Sequence, residues 1–206
     1  MNINRIGIFG GTFNPVHRGH EAAALGFCGR FGLDRLLIVP TNIPPHKRNE
    51  TGVSPQHRLE MCEICFGAYD NIEVSDIETK KEGVSYTFDT LSSLKKIYPK
   101  ELIYFLAGSD MFLSIEHWHK YEEILAMCTF AVAFRKRGEA EKGEVSKLRE
   151  KLTGRGYKIE LLENAAFEVS STELRERLKN RDFGGLDRYI SPGVLDYIKE
   201  RNIYVL

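Results

Sequence analysis

The sequence has no excess of either charge and no long apolar run. Of 206 residues, 29 are Lys or Arg and 29 are Asp or Glu, so net charge gives no reason to expect coating of nucleic acid or binding to a membrane surface. No stretch approaches the ~18 continuous apolar residues of a membrane helix, and the N-terminus lacks a signal-peptide pattern. We therefore expect a cytoplasmic protein without nucleic-acid or membrane partners. Its length predicts one domain, with room for a small appendage.

Cysteine is also scarce, with Cys28, Cys62, Cys65 and Cys128 scattered through predicted helices and one strand. Only Cys62 and Cys65 have the spacing of metal ligands, and neither a second pair nor an HxxxH pattern accompanies them. Core packing is therefore favoured over a zinc or redox role. No metal site made by the protein alone is predicted.

What the sequence does contain is a regular alternation of strand-length apolar runs and helical patterns. The predicted strands are 5–9, 33–40, 72–77, 101–107, 128–134 and 157–162. Because a helix that connects two neighbouring strands normally makes them parallel, this order predicts an α/β fold with a mainly parallel central sheet. No linker divides residues 1–206, in which 1–165 would form the core and 166–206 a small helical C-terminal part. Residues 135–143 are predicted to form a mobile loop, followed by a surface helix over 144–152.

The most informative stretch runs from Ile6 to His20. Its strand ends in Gly10-Gly11, and glycines let a ligand approach the main chain closely. His17 and His20 lie three residues apart at a helix start and are predicted to share one face. That helix start is expected to offer unpaired N–H groups and the positive end of the helix dipole. The stretch therefore predicts a phosphate site, with the two imidazoles as additional donors.

Two further segments follow predicted strands at the same edge of the sheet. Residues 44–48 (PPHKR) favour a substrate role over a solvated turn. A helix opens near Ser85 and Thr87, where backbone N–H groups could hold a carboxylate or phosphate, or where one of these hydroxyls simply caps the helix. Arg58, in a helix predicted over 54–66, reaches either solvent or the site.

Later segments leave similar alternatives open. Asp110 could bind a ribose, help to hold Mg²⁺ or cap a helix that begins at Met111. Ser170 and Glu173 fit a capping box, yet with Arg175 the same helix start also makes a second anion site.

Trp118, between two histidines, either offers a stacking platform or fills the core. His117 and His119 are two residues apart and would diverge on a helix, so they are not predicted to form a metal pair.

Together these segments resemble a known family. Residues 10–20 (GGTFNPVHRGH) are similar to the GGTFxPxHxGH signature of the HxGH nucleotidyltransferases, and residues 169–175 (VSSTELR) resemble their ISSTxxR signature, with Val169 in place of Ile. Residues 44–47 (PPHK), 83–90 (GVSYTFDT) and 108–110 (GSD) narrow the resemblance to bacterial nicotinate-nucleotide adenylyltransferases. It extends over nearly the whole chain, and the motifs fall in the family's order.

The resemblance implies a Rossmann-like three-layer fold. It also implies transfer of the adenylyl group of ATP to nicotinate mononucleotide, giving deamido-NAD and pyrophosphate in NAD biosynthesis, with Mg²⁺ bound to the ATP phosphates. The catalytic residues that it implies are His17, His20, Lys47 and Arg175. Those implied to bind ATP are Gly10, Gly11, Thr12, Phe13, His17, His20, Gly108, Asp110, Ser170, Ser171, Thr172 and Arg175. Those implied for nicotinate mononucleotide are Asn42, His46, Lys47, Tyr86, Thr87, Trp118 and His119, the last standing where the family often has Tyr.

Two other functions compete with this one. An HxGH adenylyltransferase that uses pantetheine phosphate is disfavoured by the SYTFDT segment. A nucleotide-binding sensor without turnover is disfavoured because both histidines and Arg175 are present. The oligomeric state stays open, a homo-oligomer included.

Overall fold

A parallel sheet with helices on both faces forms the body of the protein. The computed structural model describes residues 4–43, 52–81, 83–134, 139–162 and 170–204. Within these ranges the strands are β1 (Arg5–Gly11), β2 (Arg35–Pro40), β3 (Ile72–Val74), β4 (Leu102–Gly108), β5 (Thr129–Ala133) and β6 (Ile159–Leu162). The helices are α1 (Arg18–Phe31), α2 (Pro55–Phe66), α3 (Thr87–Ile97), α4 (Ser109–Leu113), α5 (Tyr121–Met127), α6 (Glu139–Gly154), α7 (Ser171–Lys179) and α8 (Pro192–Glu200). Short 3₁₀ turns occupy Ile115–His117 and Leu186–Arg188.

The strand order is β3-β2-β1-β4-β5-β6, and every pairing between these strands is parallel. The chain adds β2 on one side of β1 and later adds β4 on the other. Such a reversal leaves a crevice at the carboxyl ends of the two central strands, which is the usual ligand site of an open α/β sheet. The predicted α/β class with a Rossmann-like parallel sheet is confirmed.

The two faces of the sheet carry separate apolar clusters. One contains Phe27 of α1 together with Leu174 and Ile198 of the C-terminal helices, and all three are at most 1% exposed. The other contains Leu91 of α3 and Ile124 of α5. Burying a side chain of this size contributes about 1.5–3 kcal/mol. The C-terminal helices are thus packed on the same layer as α1.

Gly7 shows how closely α1 approaches the sheet. A Cβ atom at this position would lie 2.4 Å from Leu33 Cδ1 and 3.0 Å from Phe27 Cε1. Only glycine fits there without displacing buried side chains. The second half of α1 is therefore packed closely against the middle of β1.

Two predicted boundaries differ from the observed ones. The strand predicted over 72–77 ends at Val74, because the following residues form turns after the bond from Ser75 N–H to Ile38 O. The predicted loop over 135–143 is helical from Glu139 onward, while its first four residues lie outside the described ranges. Glu141 accepts a 2.5 Å hydrogen bond from Ser109 Oγ, which ties this first turn to α4.

The cysteines are free thiols packed among other side chains. Burial raises the pKa of Cys65 to about 12. Within the described ranges, no three His, Cys, Asp or Glu residues are grouped as metal ligands. None of the described helices is long and apolar enough to cross a membrane.

Candidate active site

A cleft of about 750 Å³ opens where the central strands end. Its floor comes from the ends of β1 and β4, and its walls include the first turns of α1, α3 and α7. Three helix N-termini therefore border one cavity. Most residues that the resemblance implies line it: Gly10, Gly11, Thr12, Phe13, His17, His20, Tyr86, Thr87, Gly108, Asp110, Trp118, His119, Ser170, Ser171, Thr172 and Arg175.

One implied residue, Asn42, is placed differently, and two others are not described. Asn42 is not among the lining residues, because its side-chain amide donates to Lys81 O at 2.6 Å and Gly83 O at 3.3 Å behind the wall. His46 and Lys47 lie outside the described residues.

His17 and His20 form a stacked pair. Their ring centroids are 3.7 Å apart with an interplanar angle of 30°. Gly19 N–H donates to His17 Nδ1 at 3.1 Å, and His17 N–H donates to His20 Nδ1 at 3.2 Å. Because Nδ1 of each ring accepts, the hydrogen of each neutral ring belongs on Nε2. The backbone therefore sets both rings as Nε2–H donors.

The first turn of α1 differs from the expected phosphate site in one respect. His17 is the N-cap, and its side chain with that of His20 completes a capping box. Arg18 N–H donates to Tyr189 O at 2.7 Å, and the N–H groups of His20 and Glu21 both bond His17 O. The expectation of unpaired N–H groups at this helix is thus wrong, since local caps and the C-terminal part take them.

Two residues of α7 hold the turn between β1 and α1. Arg175 Nη1 donates to Asn14 O at 2.9 Å, and Ser171 Oγ donates to Pro15 O at 3.2 Å. Phe13 stands at φ 48°, a left-handed conformation that is uncommon outside glycine. The contacts from α7 hold the turn in that shape and bring the Arg175 guanidinium to the cleft.

The start of α7 itself is the capping box that the sequence predicts. Ser170 Oγ accepts from Glu173 N–H, and the Glu173 carboxylate accepts from Ser170 N–H, both at 3.2 Å. Arg175 Nη2 adds a 3.1 Å bond to Thr172 Oγ1. The start of α7 is therefore capped by its own side chains and also forms part of the cleft wall.

The start of α3 is built differently. Its N-cap, Tyr86, makes no side-chain cap bond, and no described residue accepts a hydrogen bond from the N–H of Thr87 or Phe88. The capping alternative for Ser85 and Thr87 is thus not what the structure contains. The positive end of this eleven-residue helix borders the cleft through Thr87, whose N–H is one of the two donors.

A buried carboxyl stands behind this helix start. Glu78 is 7% exposed and accepts a 2.6 Å bond from Thr90 Oγ1. Burial raises the pKa of the Glu78 carboxyl above its ordinary value, against the opposing effect of hydrogen bonds from Thr90 and Ser85.

Asp110 borders the cleft from the other central strand. Gly108 is the N-cap of α4, so Asp110 is not the cap of that helix. A Cβ atom at Gly108 would lie 2.6 Å from Asp110 Oδ1. Glycine at 108 therefore lets the carboxylate fold back over the end of β4.

Trp118 packs on the core and also borders the cleft, where the sequence offers core filling and a stacking platform as alternatives. Its ring packs at 6.3 Å from Phe105 and 6.2 Å from Phe130, edge to face in each case, and it also lines the cleft. The neighbouring ring of His119 lies 5.0 Å from Tyr86. Aromatic surface thus borders the cleft beside the start of α3.

Sequence reasoning missed the buried Glu78 and left Arg58 open between solvent and the site. Arg58 is only 2% exposed, and its guanidinium donates to Thr12 O at 2.8 Å and Asn42 O at 2.9 Å. Its spacing with Cys62 and Cys65 on the apolar face of α2 is a signal that could have placed it inside. Glu78 lies in an irregular turn after β3, where no periodic pattern points to burial.

Comparison with known proteins shows the family of the chain. The cytidylyltransferase-like family model matches residues 8–177, which include the glycine turn, the sheet and α7 up to Arg177. The chain belongs to this family of nucleotidyltransferases.

Individual relatives identify a narrower family within these nucleotidyltransferases. The nicotinate-nucleotide adenylyltransferase of Bacillus subtilis is 35% identical over 202 residues, which cover 98% of this chain and 99% of the relative. A protein of Oceanobacillus iheyensis, named probable nicotinate-nucleotide adenylyltransferase, is 35% identical over 203 residues, or 98% and 97% of the two chains. Within the larger family, this chain belongs to the nicotinate-nucleotide adenylyltransferases.

A solved structure shares the fold over nearly the same length. The nicotinic acid mononucleotide adenylyltransferase of Plasmodium falciparum, complexed with NaAD, has a TM-score of 0.76 and 23% identity, over 98% of this chain and 97% of that one. At this identity the likeness concerns the fold alone.

Proposed function

We propose that this protein transfers the adenylyl group of ATP to nicotinate mononucleotide, forming deamido-NAD and pyrophosphate. The observation that carries the proposal is one cleft bordered by a stacked pair of imidazole donors, an arginine and an uncapped helix start. The first two suit phosphate groups, and the last suits a carboxylate. Relatives of this length carry the same activity in their names.

The reaction needs no side-chain nucleophile. A phosphate oxygen of nicotinate mononucleotide attacks the α-phosphorus of ATP, a bond forms between them, and the bond from that phosphorus to the oxygen of the β-phosphate breaks. Pyrophosphate leaves with that oxygen. Catalysis can then consist of positioning and stabilisation of the charge on the transferred phosphorus group.

The side chains around the glycine turn fit this task. His17 and His20 are set as Nε2–H donors by their backbone contacts and would bond the α-phosphate. The remaining N–H groups of Arg175, together with Ser171 and Thr172, would hold the β- and γ-phosphates. Lys47 would add positive charge between the substrates, and Asp110 would lie near the ribose.

Mg²⁺ would enter with ATP. It usually binds substrate phosphates, waters and one or two carboxylates. Among the described residues that line the cleft, the carboxylates are Asp110 and Glu78, and Glu78 already accepts from Thr90. Asp110 is therefore the residue that fits the ion, whose chemistry would be to offset the charge of the phosphates.

The backbone donors at the start of α3 would favour nicotinate mononucleotide over nicotinamide mononucleotide as the acceptor. The N–H groups of Thr87 and Phe88 can donate to a carboxylate, whereas an amide would place its own donors there and need acceptors. The ring faces of Tyr86 and Trp118 border the same space. We therefore expect nicotinate mononucleotide to be preferred over nicotinamide mononucleotide by at least ~100-fold in kcat/KM.

A pyrophosphate-release assay with ATP, Mg²⁺ and a panel of phosphorylated acceptors tests the proposal. Nicotinate mononucleotide should give turnover, with nicotinamide mononucleotide and pantetheine phosphate far behind. Comparable turnover on both pyridine nucleotides would contradict the acceptor assignment. ATP binding without release from any acceptor would favour a nucleotide sensor instead.

A further inference from the structure

Arg58 lies between two parts of the site without lining the cleft. We call residues 10–20 with the start of α7 the phosphate half, and residues 41–43 with 83–90 the acceptor half. It comes from α2, and only 2% of the residue is exposed. Burying a guanidinium is unfavourable unless its N–H groups find acceptors. Here Nη1 donates to Thr12 O at 2.8 Å and Nη2 donates to Asn42 O at 2.9 Å. One planar group thus joins the turn after β1 to the segment after β2.

The carbonyl of Thr12 belongs to the phosphate half of the site. Thr12 immediately precedes Phe13 and Asn14, the turn that α7 also grips through Arg175. A displacement of this carbonyl would displace the chain that leads into His17. Arg58 therefore donates to the turn that leads into the imidazole pair rather than to the two rings themselves.

The carbonyl of Asn42 belongs to the acceptor half. Asn42 N–H donates to Ser85 Oγ at 3.2 Å, and Ser85 N–H donates to Ile43 O at 3.0 Å. The Asn42 side chain also bonds the carbonyls of Lys81 and Gly83. Asn42 therefore connects the segment before α3 to the segment after β2.

The charge on Arg58 is compatible with this location. Burial lowers the pKa of its guanidinium, and the nearby Glu78 carboxyl opposes that effect. The fork geometry matters as much as the charge, since an ammonium cannot reproduce two parallel bonds in a fixed plane.

We propose that Arg58 is a positioning residue that sets the distance between the phosphate half and the acceptor half of the site. This inference rests on the proposed function, because it concerns the alignment of two bound substrates. A shift of about 1 Å between reacting groups can cost on the order of 100-fold in rate. Arg58 would therefore act on kcat more than on the binding of either substrate alone.

The test compares Arg58→Lys with two other variants in the full-length protein. We expect R58K to lower kcat by at least ~10-fold. Its Kd for a non-hydrolysable ATP analogue and its Kd for nicotinate mononucleotide, each measured alone by calorimetry, should stay within ~3-fold of the parent. Arg149→Lys is the matched control, since Arg149 Nε also donates to a backbone carbonyl, Ile159 O at 3.1 Å, but Arg149 does not line the cleft. Its kcat should change by less than ~2-fold.

Ser85→Ala gives a second route that leaves α2 untouched. It removes the bond from Asn42 N–H to Ser85 Oγ, the next contact in the same connection, and also the bond from Ser85 to the Glu78 carboxyl. We expect the same pattern in a weaker form, with kcat about 3-fold lower and separate binding retained. If R58K does not fold, this variant decides the question.

Three results would overturn the inference. The first is an unchanged kcat in R58K, or in S85A where R58K does not fold. The second is a loss of both separate affinities in proportion to kcat, which would indicate a merely structural role. The third is a kcat in R149K as low as that of R58K. No release of pyrophosphate by the parent protein would instead refute the proposed function, so the two failures are distinguishable.

Discussion

The N-terminal turns of α1 and α3 border the same cleft but offer donors of different kinds. In α1, the N–H groups of the first turn are bonded to His17, to its carbonyl or to Tyr189 O. In α3, those of Thr87 and Phe88 have no acceptor among the described residues. The first helix therefore presents side-chain donors, while the second presents its backbone.

The difference follows from what caps each helix. A capping box made by His17 and His20 uses Nδ1 of both rings and thereby sets Nε2–H of each as a donor. Tyr86 has no side-chain oxygen near the main chain to cap α3, so the helix start is left for a ligand. Loss of a side-chain donor should thus damage the phosphate half, whereas at the start of α3 loss of a backbone N–H should cost more than loss of the Thr87 side chain.

The largest effect is expected from His20→Ala. Loss of one preorganised donor should lower kcat by at least ~100-fold, with ATP binding weakened less. His20→Gln is the matched variant, because its amide oxygen can still accept from the N-cap N–H. Equal losses in both variants, measured by steady-state kinetics, would assign the effect to the imidazole. Full activity in H20Q would show that His20 serves only as a cap.

A smaller effect is expected from Thr87→Pro. Proline is favoured at the first position of a helix and removes the N–H of residue 87, while Tyr86 already has the extended conformation that proline requires before it. Loss of a hydrogen bond to a charged group should lower kcat/KM for nicotinate mononucleotide by at least ~10-fold with little change in Tm.

Thr87→Ala keeps the N–H group and is the control for that prediction. It should retain kcat/KM for nicotinate mononucleotide within ~3-fold. Comparable losses in T87P and T87A would refute the idea that the acceptor half binds through its backbone.

The smallest effect concerns Glu78, behind the start of α3. Because burial raises its pKa in the folded protein, the folded state binds more protons than the unfolded state between the ordinary pKa of a glutamate and the raised one. Stability from this group is therefore present at low pH and is lost as pH rises through that window. Glu78→Gln does not titrate and keeps an acceptor for Thr90.

Thermal unfolding of both proteins between pH 4 and pH 8 measures this difference. The Tm of E78Q relative to the parent should rise with pH, by at most about 4 °C. The Glu63→Gln variant removes one exposed carboxylate on α2, away from Glu78, and is the control for the loss of a charge. A falling difference for E78Q would mean that the carboxyl is stabilised as the anion.

Much of the phosphate half could be predicted from local sequence. The three-residue spacing of His17 and His20 indicates a shared face, and their rings are stacked. The Ser170 to Glu173 capping box is equally local. The hydrogen bond from Arg18 N–H to Tyr189 O could not be predicted, because it depends on how the C-terminal part packs against α1.

The acceptor half was less predictable. The pattern at residues 83–90 indicates a helix start with donors, but whether Ser85 caps it depends on Asn42, which takes the Ser85 hydroxyl instead. The same packing turns Asn42 away from the cleft and brings Arg58 beneath it. Such contacts join segments that are far apart in the chain, so no local period reveals them.

Sequence alone was enough for the α/β class, the parallel order of strands and helices, the family resemblance and the prediction of a phosphate site at residues 10–20. These inferences depend on hydrophobic period, on glycine and on residue spacing, all of which are local. Which backbone donors stay available, and which charges are buried between the half-sites, depends on tertiary packing. The reason is physical: whether a donor faces a ligand or another part of the chain depends on the partners that folding brings beside it.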